Sequence, residues 1–180
     1  MRKLIVSVLA LTLSVPVFAG TLSGVTMPDT AELGGQKLVL NGLGLREKYF
    51  IDVYVGGLYL PAKTTDANKA INDDVPKRIF MQFTYDLSQE KLAETMRESI
   101  AAAGSATAAQ KADLIASWME DVKPGDSMAV EYVPGKGTTF VVKGKAKGTV
   151  EGADFMKAIF GVYLGPKPPT ADLKKGLMGQ

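Results

Sequence analysis

Residues 38–60, LVLNGLGLREKYFIDVYVGGLYL, decide how the chain is read. Two segments rich in β-formers meet here, and Gly42 and Gly44 predict a tight turn between them that delivers one arginine, Arg46. From Tyr49 onward the odd positions Tyr49, Ile51, Val53 and Val55 are apolar, while the even ones carry Phe50, Asp52, Tyr54 and Leu58. A period of two over this length predicts a strand over 48–60 with two different faces. Gly56-Gly57 predicts a bulge or a close backbone approach, and Pro61 ends the strand. Arg46 is permanently charged and presents a planar fork of donors, so enclosing it costs several kcal/mol unless an oxygen acceptor meets it.

Working outward toward the N-terminus, residues 37–45 continue the β-rich pattern. An apolar stretch over 22–27, punctuated by Pro28-Asp29-Thr30 and followed by Gly34-Gly35, predicts an edge strand and a hairpin-like return. Before it lies a basic start, Met1-Arg2-Lys3, an apolar run over 4–18 interrupted by Ser14 and Pro16, and Val17-Phe18-Ala19. That order is the pattern of a secretory signal peptide, residues 1–19, too short and broken for a bilayer span. The expectation is a single domain over 20–180, exported to the periplasm, with no membrane-spanning segment after signal removal.

Toward the C-terminus, Asp66 or Thr65 is positioned to cap a short helix, and Pro76 opens a strand over 78–86. Its two faces, Ile79, Met81, Phe83 and Tyr85 against Phe80, Gln82 and Thr84, predict a central strand covered on both sides. Ser88 caps a helix to 103 that Gly104 stops, with Leu92, Met96 and Ile100 at helical spacing. Thr107 and Gln110 stand in capping-box positions for a second helix, whose stripe would be Leu114, Ile115, Trp118, Met119 and Val122. Such a stripe of Met and Trp reads as core. A hairpin over 127–142 turns at Pro134-Gly135-Lys136-Gly137, and Lys143, Lys145 and Lys147 read as a solvated strand edge. A helix over 154–164 and a short last helix capped by Thr170 complete the chain. Strands, helices, a hairpin and then helices predict an α+β domain, a mostly antiparallel sheet with helices on one face.

Composition removes whole classes of chemistry. The chain holds no cysteine and no histidine, which leaves no thiol nucleophile, imidazole base, His-based triad or ordinary zinc site. Without Arg2 and Lys3 the remaining 19 basic residues balance 19 acidic ones, which argues against nucleic acid as a partner. Gly42-x-Gly44 lacks the rest of a dinucleotide fingerprint, and Asn72-Asp73-Asp74 lacks calcium-loop spacing. No metal and no cofactor are expected. What remains is Arg46 with one or two tyrosine hydroxyls above an apolar wall. That set suits a small ligand with an anionic or carbonyl head and an apolar body, each buried methylene contributing roughly 0.8 kcal/mol. As an ordinary residue, Arg46 would instead form an ion pair with Glu47 or Asp52.

Several motifs in order resemble the chalcone isomerase-like family, in particular its exported bacterial branch: Gly42-Leu43-Gly44-Leu45-Arg46, then Val53-Tyr54-Val55-Gly56-Gly57-Leu58-Tyr59-Leu60, Phe83-Thr84-Tyr85-Asp86-Leu87, Lys123-Pro124-Gly125-Asp126, and Gly161-Val162-Tyr163-Leu164-Gly165. The resemblance implies an open-faced β-sandwich, a large antiparallel sheet with a layer of helices and a cleft between them. It also implies that Arg46 matches the arginine that polarises the substrate carbonyl in plant chalcone isomerases. The two threonines of those enzymes fall on Tyr54 and Ala158, and their helix tyrosine and asparagine have no counterpart between Gln89 and Ser99. Non-catalytic members bind fatty acids through an arginine and a tyrosine, a pair that Arg46 and Tyr54 resemble.

The leading expectation is therefore an exported, non-catalytic protein that binds a fatty acid or similar amphipathic carboxylate through Arg46, Tyr54 and Tyr85. Tyr54 shares the even register of Arg46, and Tyr59 and Tyr85 are the other tyrosines weighed for the head group. One alternative is an intramolecular lyase of the chalcone isomerase type, with Arg46 as its catalytic residue. Another is an envelope interaction protein without a small ligand.

Overall fold

A computed structural model describes residues 18–180. The expected leader lies outside the described residues except for Phe18 and Ala19, which begin the first strand. Strands β1 (Phe18–Leu22) and β2 (Val25–Pro28) form a hairpin of their own. The main sheet is an antiparallel meander of seven strands in sequence order: β3 (Thr30–Leu33), β4 (Gln36–Lys48), β5 (Ile51–Leu60), β6 (Lys77–Phe83), β7 (Ser127–Val133), β8 (Gly137–Val142) and β9 (Lys145–Val150). Its helix-side face carries the large core, from Leu58, Ile79, Met81 and Phe83 to the buried sides of the helices. On the opposite face a smaller cluster joins Val25 and Met27 of the hairpin to Leu38, Leu40, Val55 and Tyr59. This is the expected α+β arrangement, a large antiparallel sheet with a helical layer on one face.

The helices begin and end where polar side chains meet their free backbone groups. In α1 (Ala67–Asn72), Asp66 accepts from the amides of Asn68 and Lys69 at 2.9 and 3.2 Å. Helix α2 (Gln89–Ala103) starts at Ser88 and stops at Gly104, whose φ of 73° lies in the left-handed region. The expected second helix is instead two pieces, α3 (Ala106–Ala109) and α4 (Ala112–Ser117). Ser105 caps the first piece, not Thr107, and Leu114 is exposed because the break at Gln110 and Lys111 rotates the stripe. Helix α5 (Ala153–Leu164) is buried along most of its length, and α6 (Ala171–Leu177) is capped by Thr170.

The glycines of β4 do not make a turn. The strand runs unbroken through them, because α6 crosses so closely that a Cβ on Gly42 would stand 2.1 Å from the Gly176 carbonyl oxygen. One on Gly44 would stand 2.2 Å from that of Leu173. A register shift between Leu40 and Gly42 swaps the faces, so that Leu43 and Leu45 join the smaller cluster. Asn41, on the helix side, donates to the Leu177 carbonyl at 2.8 Å and accepts from the Thr64 amide at 2.7 Å. The true turn is Tyr49-Phe50, with φ of 52° and 64°. Gly56-Gly57 is a close approach and not a bulge: Leu173 covers one and Met27 the other.

Lys77 is fully buried under α1, where its ammonium donates to the carbonyls of Ala70 and Ile71 at 2.7 and 3.2 Å and sits 5.5 Å over the ring of Phe160. Burial pulls its pKa down to about 8, although Asp73 and Asp74 oppose the shift. Between that value and the ordinary lysine value of about 10.4, the folded chain holds fewer protons than the unfolded one, so stability rises with pH across that window. Urea midpoints at the two ends of the window should show this rise in the native protein and lose it in Lys77→Met. A rise of equal size in the variant would place its origin elsewhere.

Candidate ligand-binding site

Arg46 stands near the end of β4, directly opposite Tyr54 of β5 in the sheet register. The shift that turned Gly42 and Gly44 toward α6 also turns Arg46 toward the helices, where only 8% of it remains exposed. Its guanidinium carbon lies 5.7 Å from the centroid of the Tyr54 ring. Among the described residues no carboxylate pairs with it and no hydrogen bond reaches it. Glu47 and Asp52, its candidate ion-pair partners, face each other across the strand pair at the bulge that follows Arg46.

Tyr163 of α5 joins this pair. It is 3% exposed, and both Tyr54 and Arg46 act on its phenol electrostatically. Burial pushes the Tyr54 hydroxyl up to about 12 although Arg46 pulls it down, and burial raises the Tyr163 hydroxyl still further, aided by Tyr54 and opposed by Arg46. Both phenols therefore stay neutral at any physiological pH and are available as O–H donors. Neither has a hydrogen-bond partner among the described residues. The three residues are largely buried, yet the fully buried polar atoms without a partner among the described residues are Arg78 Nε and Thr138 Oγ1, so the donors of this cluster keep some access to the hollows around them. Together they form a set of donors suited to one anionic oxygen pair.

Two hollows meet at this cluster. The outer one, about 250 Å³, opens to the surface between Arg46, Glu47 and Lys48 of β4, Thr95, Glu98 and Ser99 of α2, and residues 167–170 ahead of α6. The inner one, about 20 Å³, lies behind it among Tyr54, Tyr163, Leu92, Phe83 and three methionines, Met81, Met96 and Met128. Arg46, Thr95, Ser99 and Pro169 border both, so the guanidinium stands between the mouth and the apolar interior. The inner hollow is about the size of one water. Methionine side chains, unbranched and flexible, are the ones that can re-pack to lengthen it.

Of the tyrosines weighed from the sequence, Tyr54 comes to Arg46. Tyr59 lies on the opposite face of the sheet and donates to the Pro28 carbonyl at 3.0 Å. Tyr85 follows the end of β6, is 45% exposed and borders neither hollow. Tyr163, Thr95 and Ser99 were not singled out by sequence reasoning. Thr95 and Ser99 are four apart and so share a helix face, a spacing that is visible in the sequence; Tyr163 stands in the sequence only as part of the motif Gly161-Val162-Tyr163-Leu164-Gly165, with no role of its own. Asp73 and Asp74 are engaged by Lys69 and by the Tyr132 hydroxyl, and no group of metal-ligating side chains occurs among the described residues. Among them, too, no helix is long and apolar enough to cross a membrane.

Residues 19–179 match the family described as Chalcone isomerase-like. Among solved structures the chain is similar to a fatty-acid binding protein of Arabidopsis thaliana, with a TM-score of 0.70 over 87% of this chain and 92% of that one, at 16% sequence identity. No curated protein matches the chain.

Proposed function

Because the chain belongs to the chalcone isomerase-like family, we propose that it is a non-catalytic binding protein for a fatty acid or similar amphipathic carboxylate, exported to the periplasm through its leader. The observation that carries this reading is Arg46, 8% exposed and without an internal partner among the described residues, at the neck between an open mouth and an apolar interior. The carboxylate would accept from Arg46 and from the hydroxyls of Tyr54 and Tyr163. Its chain would enter among Met81, Met96 and Met128, displacing them. The fatty-acid binding of the similar Arabidopsis protein supports the same ligand class. Ala158, at the position matched to the second plant threonine, has no hydroxyl with which to orient a chalcone, so no cyclisation is expected in an absorbance assay with that substrate.

Isothermal titration of delipidated protein with a long-chain fatty acid tests the proposal. Saturable binding at one site per chain is expected, and no heat together with no adduct in native mass spectrometry overturns it. Tyr163→Phe should weaken binding about fivefold to tenfold, the contribution of one hydrogen bond, while the fold is retained. Unchanged affinity in that variant would remove Tyr163 from the head-group set.

A further inference from the structure

Among the described residues, the five large hydrophobic side chains that stand exposed are not scattered: Tyr49, Phe50 and Ile51 are consecutive, at 84%, 97% and 39% exposure, and the other two are Tyr85 and Leu114. The three consecutive residues form the tip of the β4–β5 hairpin. Its two-residue turn needs positive φ at both Tyr49 and Phe50, a conformation that Asn-Gly adopts freely and bulky aromatics adopt under strain. The fold thus holds two aromatics in water, on a backbone better served by other residues. From an observed strain of this kind the inference runs to function.

We propose that this tip inserts into the surface of a lipid bilayer and holds the mouth of the Arg46 cleft at the level of the head groups. Glu47 and Lys48, the residues just before the tip, border that mouth. The ammonium of Lys48 lies 5.7 Å over the ring of Tyr49, an aromatic and a long cation side by side, as at membrane interfaces. Lys91 of α2 lies near the same phenol, and Lys167 stands on the far lip. Lys91 is paired with Glu94 at 2.6 Å, and Glu47 and Asp52 flank the tip, so insertion of the apolar tip is the main attraction, and Lys48 and Lys167 favour anionic head groups. A protein partner fits less well, because three side chains offer much less than the roughly 800 Å² per partner of a standard interface. The purpose given to the docking, passing a lipid between bilayer and cleft, rests on the ligand reading above; the docking itself does not.

The test is flotation with vesicles of phosphatidylethanolamine and phosphatidylglycerol, comparing the native chain with the double variant Tyr49→Asn/Phe50→Gly. The variant should fold at least as stably, with a higher thermal midpoint, because its turn is relaxed. Its vesicle partitioning should fall at least about tenfold, since two aromatic side chains no longer leave water. Its affinity for a soluble fatty acid should equal that of the native chain. A native chain that does not float, or a variant that floats equally well, overturns the docking. Flotation lost in the variant supports it, even where neither chain binds fatty acid and the ligand reading alone fails.

Discussion

Gly44→Ala should lower the thermal midpoint by roughly 6–12 °C, the equivalent of about 3 kcal/mol in a chain of this size. The added methyl would stand 2.2 Å from the Leu173 carbonyl oxygen, and its next neighbours are also backbone atoms of Leu173. A flexible side chain could move aside; a helix backbone must be displaced as a whole. Leu173 and Leu177, both fully buried, would leave their seats with it. Thermal unfolding followed by circular dichroism measures the effect. A loss below about 1 kcal/mol would mean that α6 slides along β4 at little cost, contrary to the interlocking described above.

Arg46→Met should move binding and stability in opposite directions. Fatty-acid affinity should fall about tenfold to a hundredfold, because hydrogen bonds to charged groups contribute about 1.5–3 kcal/mol. Stability of the empty protein should rise by about 1 kcal/mol, because an unpaired charge is exchanged for an apolar side chain of similar length in an apolar neck. Calorimetric titration and urea unfolding of the same preparation check both signs. A variant that binds as tightly as the native chain removes Arg46 from the site. One that loses stability shows that its guanidinium has a structural acceptor.

These two residues also show what the sequence can and cannot convey. The alternation in β6 and the caps at Ser88, Gly104 and Thr170 depend on neighbours within a few positions, and all are legible without coordinates. Gly42 and Gly44 carry the local signature of a turn, but what they answer to is a helix some 130 residues further on. Tyr49-Phe50 carries the signature of a strand, and no turn residue marks where the chain reverses. Arg46 faces Tyr54 because a bulge lies between Arg46 and Glu47: the two-residue turn alone would set Arg46 opposite Val53, and no local signal marks that bulge. Tyr163 was hidden for a different reason: an apolar helix stripe reads as core, and nothing local tells which member's hydroxyl meets an arginine from another element.

The seating of α6 on β4 has a bearing on how the molecule assembles. Each strand of the seven-stranded meander pairs with the next strand in sequence order, and the longest closure is that of β6 on β7, across residues 84–126 with α2, α3 and α4. The glycine floor of β4 has to wait for residues 171–177, which follow every strand and α5 in the sequence. Until they dock, the glycines of β4 and the seats of Leu173 and Leu177 stay open beside the arginine, so the neck of the cleft is the part of the molecule that the end of α6 completes.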